Sequence, residues 1–238
     1  MHCYGIIRMS SVLHNVNVKK QWKHDELNNA LLSLELRQKQ GLSIHRETVY
    51  SLLRASAQNL EISVIRRLYL LISKSGLLSV SCFGDHLIRL FGSCGCLIEA
   101  DNVFAEVAKP SLFTWNAIIS MHVKFGEAER ALQLGCKMRE EGFDPDNYIL
   151  SCLLKACGSL KEERQGRLVH IQIIRKELEK DDVLGNGLID MYAKCGNLDD
   201  SRRVFDGWAN QDAVAWGTMI AGCVRQNQCL LALEFFVR

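Results

Sequence analysis

Three features of the sequence carry residue types able to do chemistry. His45-Arg46-Glu47 has the His-x-Glu spacing with which a zinc-dependent nucleobase deaminase sets a metal ligand beside a general acid-base carboxylate. That chemistry also needs a downstream Pro-Cys-x-x-Cys to complete the metal site, and no Cys-x-x-Cys occurs anywhere in the chain. The triplet reads instead as the start of a helix. Gly185-Asn186-Gly187 has the opening of a dinucleotide loop, but Asp190 stands where the third glycine is required and no βαβ pattern surrounds it. It too reads as the start of a helix. Of the ten cysteines, Cys94, Cys152, Cys157 and Cys195 fall at small-residue positions of helical segments, where a thiol packs as a small hydrophobe. Their spacings lack the partner histidines of a zinc site, and no secretory signal argues for disulfides. With no Gly-x-Ser-x-Gly and no Walker sequence, the chain is expected to be no enzyme and to need no cofactor or metal.

The elements behind these residues are helical. In Ser111–Pro145, Trp115, Ile118, Ile119 and His122 recur at i, i+3, i+4 and i+7. After Phe125-Gly126, Ala128, Ala131, Leu132, Leu134 and Met138 form a second stripe among good helix formers. Gly142 and Pro145 close the pair. Two helices of about 13 residues bury too little to stand alone. The neighbours are visible as an internal echo. Asn186-Gly187-Leu188-Ile189 answers Asp85-His86-Leu87-Ile88, Val204-Phe205 answers Val103-Phe104, Trp216 answers Trp115 and Ala232-Leu233 answers Ala131-Leu132, always 101 residues apart. That interval divides into units at 46–80, 81–111, 112–146, 147–181 and 182–212, with an incomplete sixth over 213–238. The expected fold is all-α, a right-handed solenoid of helix-turn-helix units of 31 or 35 residues, each packed only on its neighbours. Trp115, Trp216, Phe104 and Phe205 recur at equivalent positions and are expected in the core.

Residues 1–24 hold Arg8, Lys19, Lys20 and Lys23 and no acidic residue, the composition of an organelle transit peptide or of a basic tail. Residues 25–45 read as a helix with Leu27, Ala30, Leu31, Leu34 and Leu36 along one side, a cap over the first repeat. The overall charge of +2 hides an asymmetry: residues 25–238 carry 25 Lys and Arg against 27 Asp and Glu, a net −2. An indiscriminate nucleic-acid binder is therefore disfavoured. No apolar run reaches the roughly 18 residues of a membrane span. The unit from Ala213 stops inside its second helix, so Leu230, Leu231, Leu233, Phe235 and Phe236 are expected to lie uncovered, through association at that end or because the chain is a truncated product.

Phe113-Thr114-Trp115-Asn116-Ala117-Ile118-Ile119, Leu153-Leu154-Lys155-Ala156-Cys157 and Leu188-Ile189-Asp190-Met191-Tyr192-Ala193-Lys194-Cys195-Gly196-Asn197-Leu198 resemble the plant pentatricopeptide repeat family. The order of lengths resembles its P-L-S subclass, with 46–80 as L, 81–111 as S, 112–146 as P, 147–181 as L, 182–212 as S and 213–238 as a partial P. The resemblance implies that the fifth and last residues of a unit meet a base edge of single-stranded RNA and that the second packs on the bases. Carried over, this selects Asn116 and Asp146 with Phe113, Asn186 and Asp212 with Val183, and the weaker L-type pair Ser151 and Asp181. The family associates an Asn/Asp pair with uridine. Asp85 with Ser111, Tyr50 with Val80, and Gly217 depart from that pattern. Asn116 and Asn186 could also cap or bond within helix starts, and Asp146 and Asp212 could be N-caps. The resemblance further implies an adaptor in organellar RNA editing or processing, in the mitochondrion or alternatively the chloroplast, with an enzyme supplied in trans. The near-neutral array leaves a protein-binding solenoid as the alternative.

Overall fold

The computed structural model describes residues 24–208 and 210–237; the basic leader read from sequence lies outside them, apart from His24. Among the described residues there are thirteen α-helices, one 3-10 turn at Leu77–Ser79 and no strand. They are α1 (His24–Lys39), α2 (Arg46–Asn59), α3 (Ile62–Lys74), α4 (Ser81–Ser93), α5 (Leu97–Glu106), α6 (Leu112–Lys124) and α7 (Ala128–Glu140). Then follow α8 (Asn147–Leu160), α9 (Glu163–Arg175), α10 (Asp182–Cys195), α11 (Leu198–Gly207), α12 (Ala213–Arg225) and α13 (Cys229–Val237). The molecule divides into two compact units, one ending at Ile118 and one beginning at Ile119, so the division falls inside α6.

The first helices of successive pairs start at Arg46, Ser81, Leu112, Asn147, Asp182 and Ala213, at intervals of 35, 31, 35, 35 and 31 residues. The short intervals have a physical cause. The second helices α5 and α11 have 10 residues each where α3, α7 and α9 have 13. They run straight into extended residues, Val107 and Trp208, whereas the longer ones turn through the left-handed residues Gly76, Gly142 and Glu177. Val107 and Trp208 then fold back onto the first helix of their own pair. A Cβ at Gly84 would stand 2.5 Å from a Val107 methyl, and one at Gly185 would collide with the Trp208 indole. Gly185 is thus a seat for a ring, which accounts for the glycine in the Gly-Asn-Gly triplet.

The turn inside each pair also repeats. Leu60, Gly95, Gly126, Lys161, Gly196 and Asn227 all have positive φ, at the same intervals of 35, 31, 35, 35 and 31 residues. This is the left-handed cap that ends a helix and lets the next one start antiparallel.

In the first unit α1 packs on α2 and α3, with Leu27, Ala30, Leu31 and Leu34 buried; Leu36, expected on that side, is exposed. Arg67 holds α1 through Glu35 at 2.9 Å, and Gln38 donates to the Leu71 carbonyl at 3.2 Å. On α3, Val64, Ile65, Leu68, Leu71 and Ile72 are buried, the i, i+1, i+4, i+7, i+8 stripe of a helix covered along one broad face. Trp115 is fully buried and meets Phe104 edge to face at 4.9 Å.

In the second unit α8 packs on α7, α9 and α10, and α10 on α11 and α12. Phe205 meets Trp216 at 4.8 Å, the counterpart of the Phe104–Trp115 contact 101 residues earlier. Trp216 itself is only half-buried. Phe235, expected among the uncovered residues of the last helix, is buried: it closes on Phe205 at 5.5 Å and Trp216 at 6.1 Å. Leu230, Leu233 and Phe236 are exposed. Second helices are also linked to one another by polar contacts such as Arg167 to Asp200 at 2.8 Å and Asn197 to Glu163 at 2.9 Å. These are solvent-exposed or half-buried and add little beside the apolar stripes.

Candidate functional site

The starts of the first helices gather the polar groups. Three aspartates are N-caps. Asp146 Oδ1 accepts from the Ile149 amide at 2.9 Å, Asp181 Oδ1 from Val183 and Leu184 at 3.0 and 3.1 Å, and Asp212 Oδ1 from Ala215 at 2.8 Å. Each therefore satisfies amides that the helix leaves without partners. Capping does not exhaust a carboxylate, which has about four acceptor positions.

The second unit shows what the remaining capacity does. Asn186 Nδ2 approaches both oxygens of Asp212, at 3.3 and 3.4 Å. The fifth residue of one stretch and the last residue of the same stretch, 26 positions apart, thus face each other as a half-buried amide–carboxylate pair. Asn186 Oδ1 accepts no protein hydrogen bond among the described residues, and both contacts to Asp212 are long, so the pair retains donor and acceptor capacity. One helical turn before Asn186, Val183 is 64% exposed.

Ser151 and Asp181 are arranged differently. Ser151 is buried, and no hydrogen bond joins it to Asp181. Asn147, at the start of α8, donates to Asp181 Oδ2 at 2.6 Å instead.

In the first unit the same 26-residue relation links Asp85 and Ser111, with the chemistry reversed. Ser111 Oγ donates to Asp85 at 3.4 Å and Thr114 Oγ1 at 2.5 Å. Burial pushes the Asp85 carboxyl up, and these two hydroxyls oppose it. Asn116 stands half-buried on α6 and Phe113 is 65% exposed on the same helix.

The second residue of a stretch is exposed more widely than sequence reasoning selected. Tyr148 and Val214 lie on the surface like Phe113 and Val183, with exposures of 55% and 59%. Their register alone could have found them: each is the residue after a helix start. His45 precedes α2 and Glu47 lies in its first turn. Among the described residues no group of His, Cys, Asp and Glu could hold a metal ion, and no helix is long and apolar enough to cross a membrane. Cys152 and Cys157 are buried, and burial raises their thiols to about 11 and about 12, which makes them inert packing groups.

The helix-pair register, the capped starts and the 101-residue echo converge with sequence comparison. The model of the PPR repeat family matches residues 110–159, and that of the PPR repeat matches 186–208 and 214–238. Those stretches are pentatricopeptide repeats. Among the chain's relatives is the Arabidopsis thaliana pentatricopeptide repeat-containing protein At1g59720, chloroplastic/mitochondrial, 39% identical over 64% of this chain and 24% of that protein. Another, At4g25270, chloroplastic, from the same plant, is 31% identical over 92% of this chain and 43% of that protein. The chain thus spans well under half the length of these pentatricopeptide repeat proteins. The fold is that of solved repeat solenoids. The pentatricopeptide repeat protein PPR10 in complex with an 18-nt psaJ RNA element aligns at a TM-score of 0.63 and 19% identity, over 89% of this chain and 32% of that one. PPR10 from maize aligns at 0.53 and 20%, over 89% and 36%.

Proposed function

We propose that the chain binds single-stranded RNA in a plant organelle, mitochondrion or chloroplast, with base preference set by paired residues at the helix starts. The observation that carries this reading is the Asn186–Asp212 pair: a half-buried amide and a carboxylate in contact, with spare hydrogen-bonding capacity, beside the exposed Val183. An amide supplies a donor and an acceptor and a carboxylate only an acceptor, which suits the N3–H and flanking carbonyls of uracil. Asn116 and Asp146, with Phe113, are the corresponding residues of 112–146. The hidden Ser151, and an Asp181 that meets Asn147 instead of Ser151, make 147–181 a weak reader. PPR10 bound to an RNA element supports the same reading by fold. The alternation of 35- and 31-residue intervals supports the P-L-S order, with the units set at 46–80, 81–111, 112–146, 147–181 and 182–212, the partial one at 213–238, and 25–45 as the cap.

The chain acts as an adaptor in RNA editing or processing, and a partner in trans supplies any chemistry. Titration of labelled RNA oligonucleotides at low salt tests it: binding favours uridine opposite 112–146 and 182–212, and Asn116→Thr shifts the preference at its position toward a purine. Absence of binding by the unaltered chain refutes the reading. A protein-binding role is favoured by one feature, the exposed apolar row Leu168, Ile171 and Ile174 on α9, and is the reading to take up in that event.

A further inference from the structure

The first two helix pairs carry no Asn/Asp pair, yet they hold a cluster that the base-reading scheme leaves without a role. Tyr50 on α2 and His86 on α4 meet edge to face, ring centroids 5.0 Å apart at 79°. Tyr50 is 38% exposed, far from the burial expected of a core ring. One turn beyond Tyr50 on the same face of α2 stands Arg54, and one turn beyond Asp85 on α4 stands Arg89. Both arginines are exposed, and neither makes an ion pair among the described residues. Both lie near enough to His86 to act on it. Burial, then Arg89, push the imidazole down; Asp85 opposes them, and Arg54 adds to the lowering. The shift favours the uncharged imidazole, which with Tyr50 forms an aromatic surface within reach of both cations' charge. Asp85 feels the charge of Arg89, but its hydrogen bonds come from Thr114 and Ser111 and it forms no ion pair with the guanidinium.

Two cations of the second unit do share a carboxylate. Lys194 is held by Asp190 at 2.5 Å, and Arg225 reaches the same carboxylate at 3.5 Å. Two guanidinium groups that make no ion pair among the described residues, near an aromatic pair with an exposed tyrosine, in an array whose net charge is negative, call for an anion that also has a flat face.

We propose that Arg54, Arg89 and the Tyr50–His86 pair form an RNA backbone subsite on the first two helix pairs, the arginines holding phosphodiester oxygens and Tyr50 stacking on the adjoining base. This rests on the RNA-binding reading above and adds to it a sequence-independent anchor. Arginine suits the task because its planar fork matches phosphate oxygens two at a time. Base–aromatic stacking tolerates any base, since every base has a flat face.

The test uses the full chain and a labelled oligouridine, with affinity followed across salt. Each phosphate contact on a single strand contributes about −0.7 to the slope of log K against log salt, so Arg54→Gln with Arg89→Gln shallows the slope by about 1.4. Between about 50 and 200 mM salt the unaltered chain then loses about sevenfold more affinity than the double variant. Arg54→Lys with Arg89→Lys retains the slope. Tyr50→Ala leaves the slope alone and weakens binding by fivefold or more, in line with about 1–3 kcal/mol per stacked base. Base preference opposite 182–212 is unchanged in all of these. Circular dichroism confirms that each variant is folded. An unchanged slope in a folded double Gln variant that still binds RNA overturns the subsite and leaves the RNA reading standing. Failure of the unaltered chain to bind any RNA overturns both. Displacement of the oligouridine by a glutamate-rich peptide as readily as by unlabelled RNA also overturns the assignment, since the cluster would then be a site for acidic peptides.

Discussion

Asp212 holds two roles that substitution can separate. Its Oδ1 caps α12 at Ala215, and its carboxylate faces Asn186. Asp212→Ala removes both. Loss of an N-cap costs about 1 kcal/mol, within a range of about 0.5–2. For a chain of this size each kcal/mol lowers the thermal midpoint by about 2–4 °C. Asp212→Asn behaves differently. Asparagine caps as well as aspartate, so the helix start keeps its bond and the midpoint moves by less than about 1 °C. The chemistry offered to a base does change, because an acceptor-only group gains two N–H donors. Uracil presents N3–H, which a carboxylate accepts; cytosine presents a bare N3, to which an amide can donate. Asp212→Asn therefore retains stability and moves the preference at its position from uridine toward cytidine, by about tenfold for one exchanged hydrogen bond near 1.4 kcal/mol. The measurement is a pair of fluorescence titrations with oligonucleotides differing at one base, alongside thermal melts. If Asp212→Asn melts as early as Asp212→Ala, the capping argument is wrong. If it melts like the parent and still prefers uridine to the same degree, the pair does not read the base.

Four further outcomes are expected. Lys161 and Leu60 are exposed and sit at φ of 57° and 44°, where glycine fits without a Cβ penalty; Lys161→Gly and Leu60→Gly should each raise stability by roughly 0.5–1 kcal/mol in urea unfolding. Gly185→Ala drives a methyl into the Trp208 indole and should cost about 1–3 kcal/mol, with Trp208 fluorescence altered. Burial lowers His170, against the opposing Asp200 and Glu179, and its Nδ1 lies 3.0 Å from the Tyr192 hydroxyl. The unfolded chain then binds the proton first, so this histidine makes the thermal midpoint fall as pH drops below about 6.5, and His170→Gln should flatten that fall. Asp190→Asn frees Lys194 and Arg225 from their shared carboxylate and should tighten RNA binding while steepening its salt dependence, read in the same titrations.

What the sequence by itself determined follows from local rules. The 3.6-residue stripes marked which faces of α6 and α7 are buried, because a helix can hide only the residues its own geometry brings together. The 101-residue echo placed the helix starts, and Asp146 and Asp212 were legible as caps because an N-cap depends only on the next three amides. Tertiary structure decided what a local rule cannot see. Asp181 and Asp212 are alike in sequence, yet one is taken by Asn147 and the other faces Asn186, because the partner comes from about 30 residues away. Ser151 is hidden while Tyr148, three residues earlier, is exposed. Gly185 read in sequence only as part of a helix start, and packing showed that it seats the Trp208 indole. Tyr50, off the base-reading pattern in sequence, gained meaning only when packing set it against His86 near two arginines that make no ion pair among the described residues. Each of these depends on which neighbouring helix supplies the next atom, and that is settled by burial of the apolar stripes rather than by any single stretch of chain.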